Sequence, residues 1–151
     1  MLRRAGPEDA EALADVYLPA FRSLDFLPRV HSDEETREWL ATVMLPGHEV
    51  WVAERDGEVV GFAALTDDLL GHLYVRPEAQ GLGIGSELLE KAKEVRPAGF
   101  ELWVFQQNEG ARRLYERHGL TCVELTDGSG NEERRPDARY AWRPPVPDTV
   151  S

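Results

Sequence analysis

Residues 80–86 read Gln80-Gly81-Leu82-Gly83-Ile84-Gly85-Ser86. They stand between an apolar strand pattern, Leu73-Tyr74-Val75, and a helical one in which Ile84, Leu88, Leu89 and Ala92 recur every three to four residues. Arg76-Pro77 ends the strand, because proline has no N–H for a ladder and biases its predecessor away from helix. The chemistry open to such a turn is anion binding. The first-turn N–H groups of the helix have no internal partner, the helix dipole adds partial positive charge, and glycines let the backbone come close to the ligand. Two simpler uses fit the glycines as well. They can serve a tight connection by sterics alone. They can also belong to a dinucleotide fingerprint, for which Glu101 lies near the distance of a ribose-binding acid. That fit is poor, since the third glycine should stand at residue 86, which is Ser86, and only 65 of the 151 residues follow it.

A second constellation is Asn108-x-x-Ala111-x-x-x-Tyr115-x-x-x-Gly119-Leu120. Ala111, Leu114, Tyr115 and His118 fall on one side of a helix, and Asn108 is placed to cap it. Tyr115 is either a core aromatic whose hydroxyl finds a partner or an acid. A phenol with a pKa of about 10 can protonate a comparably basic thiolate at little thermodynamic cost. Candidates for a base are Glu101 and His72, with water as the default, because neither position excludes a structural role.

The two motifs together resemble the signatures of the GNAT superfamily of N-acetyltransferases. The residues are Leu73-x-Val75-x-Pro77-x-x-Gln80-Gly81-x-Gly83-x-Gly85, then Asn108 to Leu120, with Leu120 where the family usually has Phe. The resemblance covers nearly the whole chain. It implies acetyl-CoA as co-substrate and direct transfer of the acetyl group to a primary amine of a small molecule or peptide. Gln80, Gly81, Leu82, Gly83, Ile84, Gly85 and Ser86 would hold the pyrophosphate. Leu73, Tyr74 and Val75 would bond the pantetheine arm in a gap between two parallel strands, Asn108 would contact the same arm, and Tyr115 would protonate the departing thiolate. Dimers are common in the family, and a homodimer is compatible with the sequence. A CoA-binding sensor without turnover and an unrelated α/β nucleotide-binding protein are the alternatives.

These residues need a scaffold. Strand patterns cover residues 2–5, 49–54, 58–65, 70–75, 100–105, 120–125 and 138–142, and helical ones about 8–22, 33–43, 84–96 and 108–118. Pro19 marks a kink or early stop in the first helix. Ser32 to Glu35 is a capping box and Asp56-Gly57 a hairpin turn. The fold class predicted is α/β: a GNAT-type mixed, mostly antiparallel central sheet of about seven strands with helices on both faces. Residues 1–143 form one domain and 144–151 a flexible tail. Ser23 to His31, rich in Leu24, Phe26, Leu27 and Val30, packs on its own domain or walls a substrate site. The polar stretch 127–137 is a solvated loop, or its acids draw in a cationic amine that Tyr140 and Trp142 anchor. Arg112 and Arg113 are solvated or reach the adenosine-end phosphates.

With a net charge of −11 the chain is a poor match for nucleic acid or an anionic membrane surface. The same field slightly favours a cationic substrate and opposes a phosphorylated one, so the phosphate grip must be local. No apolar run approaches the ~20 residues of a membrane span and the N-terminus lacks a signal-peptide core, so the cytoplasm is the expected compartment. Cys122 is the only cysteine and reads as a small strand hydrophobe. His31 and His48 stand without ligand spacing, and no metal is expected.

Overall fold

Apolar residues run almost unbroken through Glu49–Arg55 and Glu58–Thr66, so this strand pair must bury both faces, and the hairpin is the keel of the protein. In the computed structural model, which describes residues 1–28 and 30–145, these are β2 and β3. The turn between them is made by Asp56 and Gly57, both at positive φ (54° and 79°), the conformation that matches strand twist. The other strands are β1 (Leu2–Arg4), β4 (Leu69–Val75), β5 (Phe100–Phe105), β6 (Thr121–Leu125) and β7 (Asp137–Trp142). They form one sheet in the order β1-β2-β3-β4-β5-β7-β6. Every neighbouring pair is antiparallel except β4 with β5.

Four helices cover the sheet: α1 (Ala10–Arg22), α2 (Asp33–Trp39), α3 (Ile84–Val95) and α4 (Glu109–Arg117). On one face Leu13, Ala14 and Val16 of α1, with Leu40 and Met44 just past α2, pack on Val50, Val52, Phe62 and Ala64. On the other, Ile84, Leu88, Leu89 and Ala92 of α3 and Tyr115 of α4 pack on Ala63, Leu65, Phe100, Leu102 and Tyr140. Truncating one of the fully buried leucines to alanine would cost about 2–5 kcal/mol. Gly61 sets how near α3 can lie. A Cβ there would meet Ile84 Cγ2 at 3.1 Å and the Tyr74 carbonyl oxygen at 3.0 Å.

The helix ends differ from the sequence pattern in instructive ways. Ser32 and Glu35 form the expected reciprocal cap, Glu35 N–H to Ser32 Oγ at 3.1 Å and Ser32 N–H to Glu35 Oε1 at 2.9 Å. Beyond α2, however, the chain continues through a wide π turn, Leu40–Met44, and one more turn, Leu45–Gly47. The wider turn lets Leu40 and Met44 both face the core. Pro19 does not stop α1, which continues through it to Arg22. Asp9 fixes the start of α1 to β1: its carboxylate accepts from Arg3 at 2.8 and 2.9 Å and from the Gly6 amide at 2.7 Å. The guanidinium of Arg3 holds this carboxyl below the usual carboxylate range. Most of the tail expected from residue 144, residues 146–151, lies outside the described residues.

Candidate active site

The parallel pair β4–β5 is joined at one point. Leu69 is opposite Glu101, and the Glu101 amide donates to the Asp68 carbonyl at 2.8 Å. Beyond that point the strands pair no further and the sheet opens. The ladder on the other side of β4 sets which groups face the opening. The Arg76 amide bonds Val60 O at 2.8 Å, and Tyr74 lies opposite Phe62. By the alternation of an antiparallel ladder, Leu73 and Val75 therefore turn their main-chain groups toward the gap. Among the described residues only the Val75 carbonyl has a partner there, the Gln80 side-chain amide at 3.2 Å.

The glycine turn lies at the mouth of this gap. Gly81 and Gly83 both have φ +83°, and Gly83 is the left-handed residue that caps α3. A side chain at either would be strained, and a Cβ would point into open space with nothing within 4 Å. The amides of Gly81 through Ser86 have no acceptor among the described residues; the first amide of the segment to find one is Glu87, on Gly83 O at 3.0 Å. A row of free N–H groups at a helix N-terminus, with no side chain in front of it, is what an anionic diphosphate requires.

Turn, gap and α4 enclose a cavity of about 440 Å³. The structure brings Leu73, Tyr74, Val75, Gln80, Gly81, Gly83, Ile84, Gly85, Ser86, Asn108 and Tyr115 together on its wall. Leu82 is the exception: its side chain is 66% exposed and only its main chain belongs to the turn. Asn108 caps α4, its side-chain oxygen accepting from the Ala111 amide at 3.3 Å. Gly85 lets α4 close in, since a Cβ there would stand 3.1 Å from Leu114 Cδ2.

Tyr115 is buried, and its hydroxyl has no hydrogen-bond partner among the described residues although it lines the cavity. Burial alone pushes its pKa up, so the phenol holds its proton across the physiological range. Ser86 is tied into a chain of polar contacts. His118 Nε2 lies 2.9 Å from Ser86 Oγ, His118 Nδ1 lies 3.0 Å from Glu90, and Lys93 Nζ is 3.2 Å from Glu90 and 2.7 Å from the His118 carbonyl. Arg117, exposed at the rim, has no ion pair among the described residues. Arg117 is a local cation that the sequence motifs did not single out.

Other candidates lie elsewhere. Glu101 is held by Arg139 at 2.9 Å and Arg143 at 3.3 Å, at the closed end of the β4–β5 pair. His72 sits among Tyr17, Trp39, His48 and Tyr74, where desolvation and the neighbouring His48 press its pKa down to about 4. Neither lines the cavity. The expectation that Tyr140 and Trp142 anchor an amine is overturned. Tyr140 is fully buried, donating to Glu116 at 2.7 Å and accepting from Arg112 at 3.0 Å, and Trp142 packs on Phe100. Strand alternation puts both on the core face of β7, which sequence alone could not assign. Arg112 is thereby engaged within the protein, and Arg113 is exposed beside Glu109 at 4.0 Å.

A second, smaller cavity of about 230 Å³ lies against the first. Tyr17, Leu18 and Phe21 of α1, Leu24, Leu27 and Val30 of the following loop, and Glu132 and Glu133 of the 127–137 loop line it. Leu24 belongs to both cavities. The Tyr74 ring, from the first, packs edge-on against that of Tyr17, from the second, with the ring centroids 4.8 Å apart. The loop 23–28 is pinned from behind, Phe26 edge-on to Phe105 at 6.0 Å and its carbonyl on Arg135 Nε at 3.0 Å.

Comparison with known proteins agrees with this geometry. Residues 46–120 match the family model for the acetyltransferase (GNAT) domain. An uncharacterized N-acetyltransferase of Archaeoglobus fulgidus is 34% identical over 148 residues, covering 87% of this chain and 99% of that one. The peptidyl-lysine N-acetyltransferase YjaB of Salmonella typhimurium is 33% identical over 121 residues, 79% of this chain and 81% of its own. The solution structure of apo YjaB from Escherichia coli superposes with a TM-score of 0.77 at 25% identity, covering 94% of this chain and 96% of that one. The chain belongs to the GNAT family of acetyltransferases, and it is an acetyltransferase enzyme.

Proposed function

We propose that this protein transfers an acetyl group from acetyl-CoA directly to a primary amine. The observation that carries the reading is the continuity of three features. Free amides at Gly81–Ser86 open onto a gap edged by the main chain of Leu73 and Val75, and Tyr115 presents an unpartnered hydroxyl to the same cavity. Each feature alone has a structural use; together they fit a long ligand with an anionic end and a thioester end.

Acetyl-CoA bound there supplies an activated acyl carbon. The amides of the turn hold the diphosphate, assisted by the dipole of α3 and by Arg117 at the rim. Main-chain groups of β4 align the arm, and an N–H of this strand polarises the carbonyl as negative charge develops. Tyr115 delivers its proton to the departing sulfur. A raised pKa makes it a weaker acid but keeps it fully protonated, so it is in the required state at every working pH. Glu101 is spent on two arginines and His72 is walled by aromatic rings, so the amine's surplus proton leaves through water.

The experiment is a pair of measurements. Acetyl-CoA at saturating concentration raises the melting temperature, while NAD leaves it unchanged. Tyr115→Phe lowers kcat by about 10²–10⁴-fold, the usual worth of a positioned acid, and preserves the acetyl-CoA shift. Unaltered kcat in that variant would remove the assigned role, and a thermal shift without thiol release on any amine would make the protein an acyl-CoA sensor.

A further inference from the structure

Resting on that reading, we infer that the 230 Å³ cavity is the acceptor site. Glu133 is the counter-ion for the acceptor's ammonium, and the substrate is a small primary amine on an apolar or aromatic body with no carboxylate beside the amine.

The position follows from the join between the cavities. Leu24 lines both cavities, and Tyr17 of the smaller packs on Tyr74 of the larger with ring centroids 4.8 Å apart, so the two spaces adjoin. A molecule seated in the smaller cavity therefore reaches the larger one beside β4. The size sets the class. At about 230 Å³ the space is below the ~300–1,000 Å³ of sites for drug-sized ligands, and it accepts one ring or a short alkyl chain. The walls set the body of the ligand: Tyr17, Leu18, Phe21, Leu24 and Leu27 offer apolar and aromatic surface, which favours a hydrocarbon over a peptide backbone with unmet polar groups.

Charge selects the head group. Of the carboxylates on the wall, Glu132 is engaged by His31 at 2.5 Å and Asp33 by Arg22. Asp25 is exposed and belongs to the rim. Glu133 is half-buried and has no cation bonded to it among the described residues. It lines the smaller cavity together with Tyr17 and with Leu24, the residue common to both cavities. Desolvation raises its pKa, as expected of a carboxylate partly withdrawn from water. An ammonium seated beside it restores the missing partner. A carboxylate on the same ligand would meet Glu132 and Glu133 together and be repelled.

The test uses the full chain with saturating acetyl-CoA and follows thiol release. The probes are 2-phenylethylamine, L-phenylalanine, which adds only a carboxylate, and a short lysine-bearing peptide. Phenylethylamine is expected to exceed phenylalanine by about 100-fold or more in kcat/KM, from like-charge repulsion of several kcal/mol. Glu133→Gln is expected to raise its KM by about 10-fold or more, with kcat, the KM for acetyl-CoA and the thermal shift by acetyl-CoA unchanged. Glu94→Gln, which removes the same charge from the distant surface of α3, controls for the global field and leaves KM within about twofold. The inference is overturned if phenylalanine serves equally well, if only the peptide is acetylated, or if Glu133→Gln leaves the amine KM in place. Failure of acetyl-CoA to shift the wild-type melting temperature would instead strike the donor site, so the two readings fail separately.

Discussion

The two cavities that meet at Leu24 are built from different materials. The larger is made mainly of main chain: glycines at positive φ, free amides at a helix start and an unpaired strand edge. The smaller is made of side chains from α1 and two loops. Backbone amides are the same whatever residue carries them, so a main-chain site needs only the right φ and an absence of Cβ atoms. A side-chain site can change its ligand by changing a residue without disturbing the sheet. One common donor and a variable acceptor is the division of labour such a construction supports.

That contrast can be broken most sharply at Gly83. Gly83→Glu puts a carboxylate into the open space before the amides and strains a left-handed residue. The affinity for acetyl-CoA should fall by roughly 100-fold or more, as like charges in contact cost several kcal/mol. Isothermal titration reads it, and retained tight binding would show that the diphosphate lies elsewhere.

A second test concerns the polar interior beside the smaller cavity. The His72 pKa falls from 6.5 to about 4 on folding, so the unfolded chain binds more protons between those values. Its contribution is present above about pH 6.5 and is lost as pH falls toward 4, by roughly 1–3 kcal/mol. In denaturant titrations, His72→Phe should flatten this part of the stability profile. An identical slope in both proteins would mean that the imidazole is not excluded from water.

The smallest effect sharpens the donor side. Removing His118 frees Ser86 and Glu90 beside the amide row. His118→Ala is expected to weaken acetyl-CoA binding about 3- to 10-fold, the worth of one hydrogen bond to a charged network, with the amine KM unchanged. A change in the amine KM instead would blur the separation of the two sites.

Much of the donor side is legible along the chain. Strand, proline, glycine turn and helix are contiguous, so Leu73 to Leu89 states its own geometry, and Asn108 to Gly119 does the same for α4. The seven strands follow from apolar alternation and turn residues, with ends displaced by one residue where a cap or bulge intervenes. The smaller cavity is legible only as two loops, 23–31 and 127–137, each read separately as a candidate substrate wall. Tyr17, Leu24 and Glu133 are scattered over more than a hundred positions, and nothing in their spacing says that they meet. Tyr140 fails for a related reason: alternation separates two faces of a strand but does not say which one is covered.

By itself, then, the order of residues determined the sheet's elements, the glycine turn and the helix that carries Tyr115, because each is specified by neighbours a few positions apart. The family resemblance implied a gap between β4 and β5, and the tertiary structure fixed it as starting after a single pairing, Leu69 with Glu101. The tertiary structure also decided that Glu101 is consumed by arginines while Glu133 has none bonded to it among the described residues. Those outcomes depend on which distant groups share a volume, and charge and desolvation act through space, not along the chain.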